Sequence, residues 1–198
     1  MGLALGRTLT VPDDESQGSM PYWHQAMWIA LGTTALISKT ESAYRQSFGL
    51  SYLSGLLHNF GYLVLAHVFP PHFKLICRYA DANPHVDSAY IEHFLLGITR
   101  EQMGSQLMSV WNMPEEITIA LRHQKNEAFD GEFSEYSNIL NLTHHLLAEA
   151  GVLASTEANL DEGLYERLHI TQEDAKAAIE KLLETQEDVA SVAAMMKR

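Results

Sequence analysis

The chain is poor in cysteine and in basic residues. Cys77 is the single cysteine among 198 residues, so no internal disulfide can form and nothing indicates an oxidising compartment. Thirteen lysines and arginines stand against 25 aspartates and glutamates, a net charge of -12. Because nucleic acids and anionic membrane surfaces both select basic patches, this balance argues against both as partners. The N-terminal residues also lack the apolar core of a secretory signal, so we expect a cytoplasmic protein.

One uncharged segment, residues 50–69, has the length that a bilayer requires, about twenty residues. Its polar load is too heavy for hydrocarbon, because it includes Ser51, Ser54, His58, Asn59 and His67. We therefore interpret it as a buried helix and not as a membrane span.

Helical patterns cover nearly the whole chain, and no alternation typical of strands stands out. The sequence therefore predicts an all-α protein. Thr99 with Gln102 is typical of a capping box, Pro70-Pro71 is expected to stop the central helix, and Gly151 is expected to follow a helix end. The predicted helices cover residues 22–39, 50–68, 72–80, 86–96, 99–111, 113–123, 135–150 and 171–196.

The last predicted helix carries an apolar stripe that favours packing on the core of its own domain, with a partner helix as the alternative. The stripe consists of Ala175, Ala178, Ile179, Leu182, Val189, Val192, Ala193 and Met196.

The most informative stretch is residues 56–65, Leu-Leu-His-Asn-Phe-Gly-Tyr-Leu-Val-Leu. It resembles the core motif of the HD superfamily of metal-dependent phosphohydrolases, Leu-Leu-His-Asp-Ile-Gly-Lys. The resemblance implies that Asn59 stands where an aspartate bridges two metals, and Tyr62 where a lysine stands. Two divalent cations roughly 3.5–4 Å apart repel by about 18 kcal/mol at an effective dielectric of ~20, and a neutral amide offsets none of this. The alternative is a buried helix in which His58 and Asn59 are satisfied by other protein groups.

The wider chain resembles the HDOD (HD-related output domain) family of bacterial signalling modules. The resemblance rests on Trp23-His24, residues 50–65, Glu92 with residues 96–99, Gly104 with Trp111-Asn112-Met113-Pro114, Arg122-His123, Asn141 to His144, and residues 168–171. It implies an HD-like helical bundle over residues 20–198 with a regulatory, non-catalytic role. The helices usual in the family before the Trp-His motif are almost absent. We therefore expect residues 1–19 to be a disordered segment or a shortened start.

Transferred position by position, the HD pattern implies a decayed metal site. The positions that would hold metal are occupied by His24, His58, Asn59, Arg100, Arg122 and His144, with His123 retained beside Arg122. A guanidinium about 4 Å from a divalent ion costs roughly 8 kcal/mol at a dielectric of ~20 and does not deprotonate. Arg100 and Arg122 therefore suggest either an anion-binding cleft or two separately solvated or paired side chains.

Three readings of function stay open at this point. The first is a non-enzymatic signalling domain that acts through protein contacts, with no cofactor, no bound metal, partners of unknown identity and homo-oligomerisation left open. The second is a residual metal-dependent phosphohydrolase, in which imidazoles such as His24, His58, His123 and His144 rebuild a site, since three imidazoles are enough for zinc. The third is a metal-free module that binds a nucleotide or another anion through Arg100 and Arg122.

Overall fold

The computed structural model describes residues 20–153 and 160–196. Within these ranges the chain forms eleven α-helices and one short 3-10 turn, without any strand, so the all-α prediction is confirmed. The expectation for residues 1–19 lies outside the described residues.

The first half contains α1 (Tyr22–Ile37), a 3-10 turn (Ser42–Tyr44), α2 (Phe48–Leu57), α3 (Phe60–Val68), α4 (Pro70–Ala82) and α5 (Ser88–Leu96). The second half contains α6 (Arg100–Val110), α7 (Glu115–His123), α8 (Ser134–Glu149), α9 (Gly163–Arg167), α10 (Gln172–Leu183) and α11 (Gln186–Met196).

The predicted central helix over residues 50–68 is wrong in one respect, because it is two helices. The chain leaves the helical path at Asn59, whose φ of -109° and ψ of 24° end the hydrogen-bond ladder between α2 and α3. The carbonyl of His58 is satisfied instead by the side-chain amide of Gln124, which donates to it at 2.8 Å. The break therefore leaves the carbonyl of His58 with a hydrogen-bond partner.

Helix ends follow the sequence signals with one further correction. Thr99 and Gln102 form the predicted capping box, and Gly97 and Gly151 take the left-handed conformation after α5 and α8. Pro70-Pro71 does not only end the preceding helix: it begins α4, where a missing N–H removes no helical bond.

The predicted final helix also divides in two, between Leu183 and Gln186. Both halves still pack on α1, and Ala175, Ile179, Val189 and Ala193 are buried in the main core. The described part of the apolar stripe thus belongs mainly to the protein's own core, as predicted, although Val192 is 42% exposed.

The main core is built around α1, which packs against α2, α8, α10 and α11. Trp28 and Ile29 of α1 are almost completely buried there. Gly55 lets α2 approach closely, since a Cβ at this position would lie 2.6 Å from the Cα of Ala30. The two helices therefore meet backbone to backbone.

A second, smaller core lies beside α3. It is formed by Leu65, Ile76 and Ile91, and it holds together residues 70–96, which we call the α4–α5 lobe. Among the described residues no single helix is long and apolar enough to cross a membrane. One bent pair of segments has the length and the apolar composition of a span. It consists of Phe48–Val68 and Pro70–Ala82, which meet at an angle of 118°.

Candidate functional site

A cleft of about 700 Å³ opens where the break between α2 and α3 faces the start of α6, the end of α7 and the middle of α8. The segment from Pro84 to Ser88, between α4 and α5, and Gln25 of α1 also line it. His58, Asn59, Arg100 and His144 all line this cleft. The HD-like positions in the sequence therefore do converge in part.

His58 is fixed in one tautomer at the floor of the cleft. Its Nδ1 lies 2.8 Å from the carbonyl oxygen of Gly55, which can only accept, so Nδ1 carries the proton and Nε2 carries a lone pair. The side chain is only 6% exposed, and Nε2 has no partner among the described residues. Burial lowers the pKa of His58 to about 4, so the ring is neutral at neutral pH.

His144 faces His58 from α8, with the two ring centroids 6.2 Å apart. Burial, with smaller contributions from the nearby His58, Lys125 and His145, lowers the pKa of His144 to about 3. The pair is thus a neutral surface of two imidazoles and not a cationic one.

Two amides hold the floor of the cleft in place. The side chain of Gln124 donates to the carbonyls of His58 and Leu121, at 2.8 and 2.9 Å. Asn141 donates through Nδ2 to the carbonyl of Gln124 at 3.0 Å, which leaves its Oδ1 buried without a partner. Helices α2, α7 and α8 are joined by this chain of bonds.

Two carboxylates at the cleft, Glu101 and Glu127, have a basic side chain beside them. Lys125 lies 3.0 Å from Glu101, and although burial opposes ionisation, this ammonium helps to hold the pKa of Glu101 below its usual range. His145 lies 3.0 Å from Glu127. The positive charge of Lys125 is therefore neutralised by Glu101 within the protein.

Arg100 has a structural role, because it binds a buried carboxylate. Its backbone N–H donates to the carboxylate of Glu92 at 2.8 Å, and its guanidinium forms an ion pair with the same carboxylate. Glu92 is completely buried in α5, and the guanidinium also lies over the ring of Tyr62, 5.4 Å from its centroid. This pair fastens the α4–α5 lobe to the beginning of α6.

The structure does not bring the other predicted positions to the cleft. Arg122 is exposed and is not among the cleft residues. His123 stacks on Phe129 with a centroid separation of 3.9 Å. His24 also lies outside the cleft lining, with its ring 6.5 Å from that of Trp28. Arg100 and Arg122 thus do not share one surface of the cleft.

The donor set does not fit the metal pair of the HD superfamily. Nowhere in residues 20–153 and 160–196 do three His, Cys, Asp or Glu side chains come together in a way that could hold a metal ion. His58 and His144 supply two imidazoles, Asn59 supplies an amide, and Glu101 is bound to Lys125.

Sequence reasoning missed Glu92, Glu101, Gln124, Lys125 and Asn141 as parts of this site. A signal existed for Asn141, because it precedes His144 by three residues and both therefore share one face of α8. The pairing of Glu92 with Arg100 carried no such signal, because it depends on how α5 packs against α6.

The helical bundle and its cleft define a domain of the HD type. The chain belongs to the HDOD domain family, whose sequence profile matches residues 1–127. Its fold is related to that of HD-like phosphohydrolases.

Known relatives agree with this assignment. A candidate signal transduction protein from Marinobacter aquaeolei VT8 is 46% identical over the whole chain, with a TM-score of 0.90. An HDOD domain protein of unknown function from Geobacter sulfurreducens matches 88% of the chain and 62% of its own length at 13% identity, with a TM-score of 0.70. A candidate phosphohydrolase from Shewanella amazonensis SB2B matches 81% of the chain and 63% of its own length at 18% identity, with a TM-score of 0.55.

Some of these relatives are much longer than the chain. It spans 44% of the Marinobacter protein. An uncharacterised protein from Treponema pallidum (strain Nichols) is 30% identical over 124 residues, which are 61% of the chain and 22% of that protein.

Proposed function

We propose that this HDOD domain is a non-catalytic regulatory module that acts through protein contacts. The observation that supports the proposal is the chemistry of the cleft, which is lined by the neutral imidazoles of His58 and His144, the amide of Asn59 and the ion pair of Glu101 with Lys125. A two-metal hydrolase needs carboxylates to offset the charge of its ions and to hold a hydroxide. The carboxylate of Glu101 is bound to Lys125, and that of Glu92 to Arg100.

The α4–α5 lobe supports the second half of the proposal. Tyr90 and Phe94 lie one helical turn apart on α5 and are 69% and 71% exposed. On α4, Leu75 and Tyr79 show the same spacing and are also exposed. Large apolar side chains in this number on one small lobe are typical of a surface that another protein covers.

The third reading, an anion-binding cleft formed by Arg100 and Arg122, stays a prediction without structural support. One guanidinium is engaged by Glu92, and the other lies outside the cleft.

Photo-crosslinking in the native host tests the proposed surface. A photoreactive phenylalanine analogue at position 94 is expected to capture one or more specific proteins. The same analogue at Glu180, an exposed position on α10, is the matched control. Adducts from position 94 that vanish when Tyr90→Lys is added support the proposal. Equal labelling from both positions, or none from position 94, contradicts it.

A further inference from the structure

Helix α4 turns only one of its sides toward the protein. Ile76 is buried in the smaller core, with Phe73 and Ala80 half-buried against it. On the side that faces solvent, Leu75 and Tyr79 lie one helical turn apart and are 41% and 45% exposed. These two side chains form an apolar row along the exposed side of the helix.

A basic row runs beside the apolar row. Lys74 and Arg78 also lie one turn apart, each directly before a member of the apolar row, and both are exposed. Asp81 is the one carboxylate of α4, and neither cation forms an ion pair with it or with another carboxylate of the described residues. We call Lys74, Leu75, Arg78 and Tyr79 the α4 face. Its two charges can pair with groups of another molecule.

The α4 face differs in charge from the protein that carries it. The chain has a net charge of -12, yet residues 42–80 contain no aspartate or glutamate. Because the Debye length is about 8 Å at physiological ionic strength, a carboxylate placed beside Lys74 or Arg78 interacts mainly with these cations and not with distant acidic residues. The α4 face therefore attracts negative charge at short range, whereas the acidic remainder of the surface repels it.

The size of the α4 face favours a small protein element over other anionic partners. A nucleic acid or an anionic membrane extends far beyond two cations and would meet the acidic surface around them. A membrane would also need more apolar area than Leu75 and Tyr79 provide, since each is less than half exposed. A second copy of the chain would bring its own acidic surface and add repulsion.

We infer that the α4 face binds an acidic amphipathic helix of a partner protein, with carboxylates against Lys74 and Arg78 and apolar side chains against Leu75 and Tyr79. Both rows of the α4 face follow the α-helical repeat, so a helix that lies along α4 presents its own rows at the same spacing. This partner chemistry rests on the proposed function, because it specifies what kind of protein the α4–α5 lobe contacts.

A phage-displayed library of single amphipathic helices, about four turns long, is the probe. The apolar positions of the library are fixed as leucine, and the flanking positions vary among glutamate, glutamine and lysine. Selection on the unmodified protein is expected to enrich glutamate over lysine at the flanks by about tenfold or more. Nonspecific attraction to a protein with a net charge of -12 would enrich lysine instead, so the sign of the enrichment distinguishes the α4 face from the rest of the surface.

Two double charge reversals provide a matched pair. Lys74→Glu with Arg78→Glu is expected to reverse the preference of the library from glutamate to lysine. Lys39→Glu with Lys181→Glu changes the net charge equally at exposed positions outside α4, and it is expected to keep the preference for glutamate. Leu75→Ser is expected to weaken the selected helices about fivefold or more, because it removes half of the apolar row.

Selection on the unmodified protein decides the question even where a variant fails to fold. Lack of glutamate enrichment overturns the inference, and so does a glutamate preference that survives the reversal of Lys74 and Arg78. Binding to phosphatidylserine vesicles, or dimerisation in sedimentation velocity, also overturns it if that double reversal abolishes the effect, because the occupant is then a membrane or a second copy. Crosslinking from position 94 of α5 tests the proposed function separately: specific adducts there together with a failed selection contradict only the acidic helix.

Discussion

At the scale of single residues, the pair of Arg100 and Glu92 gives Arg100 a structural role at the beginning of α6. The carboxylate of Glu92 is completely buried, and Arg100 meets it through both its backbone N–H and its guanidinium. A buried carboxylate of this kind is tolerable only while its partner remains. Arg100 is therefore a structural residue of the α5–α6 junction.

Arg100→Ala is expected to lower the free energy of unfolding by about 3 kcal/mol or more, because it leaves Glu92 buried and unpaired. Lys176→Ala is the control, because it truncates a cation whose partner Glu149 is largely exposed, and it is expected to cost less than about 1 kcal/mol. Urea denaturation measures both. Similar losses in the two variants would contradict the structural role of Arg100.

His58 predicts a pH dependence of stability. Its pKa is lowered to about 4 in the folded protein by burial, against about 6.5 in an unfolded chain. Between these values the unfolded state binds a proton that the folded state excludes, so stability falls as the pH is lowered from 6.5 to 4. Over this range the free energy of unfolding is expected to fall by about 3 kcal/mol.

His58→Gln is expected to remove this part of the pH dependence, while His85→Gln, in the exposed α4–α5 loop, is expected to keep it. The measurement is urea denaturation of all three proteins across the same pH range. If the free energy of unfolding varies with pH in the same way for the unmodified protein and His58→Gln, the imidazole of His58 is not the cause of the pH dependence.

At the scale of elements, close contact between helices depends on glycine. A Cβ on Gly61 of α3 would lie 1.9 Å from the carbonyl oxygen of Arg100, a backbone atom that cannot move aside. The Gly position of the HD-like motif is thus required by the contact of α3 with α6.

Gly61→Ala is expected to destabilise the protein by several kcal/mol, because α3 must shift away from α6. Gly49→Ala, in the first turn of α2 with open space around the new methyl group, is expected to stabilise it by about 0.5–1 kcal/mol. Thermal unfolding of both variants measures the contrast. Tolerance of Gly61→Ala would contradict the close approach of the two helices.

The helix boundaries show what local sequence can and cannot predict. Thr99 and Gln102 form a local capping box, so four residues contain all the information that the prediction needed. The break at Asn59 depends on Gln124, 66 residues from His58, whose amide takes over the freed carbonyl. Periodicity alone therefore predicted one continuous helix, whereas the hydrogen bond from Gln124 to His58 permits a break between two helices.

At the scale of the whole molecule, the all-α class and the family could be predicted because they depend on periodicity and on motifs that are read along the chain. The cleft could be predicted only in part. His58, Asn59 and His144 come together as the HD pattern implies, whereas His24 and Arg122 do not line it. The packing of α5, α6 and α7 decides which charged side chains pair with each other, and the local sequence does not show this packing.

Metal content tests the central claim of a non-catalytic cleft most directly. The protein is purified without chelator, loaded with manganese or iron and analysed by elemental mass spectrometry, with His58→Gln as the control. We expect metal near zero in both proteins, because two neutral imidazoles and an amide do not offset the charge of a metal pair. Stoichiometric metal that is lost in His58→Gln would contradict the account and restore the phosphohydrolase reading.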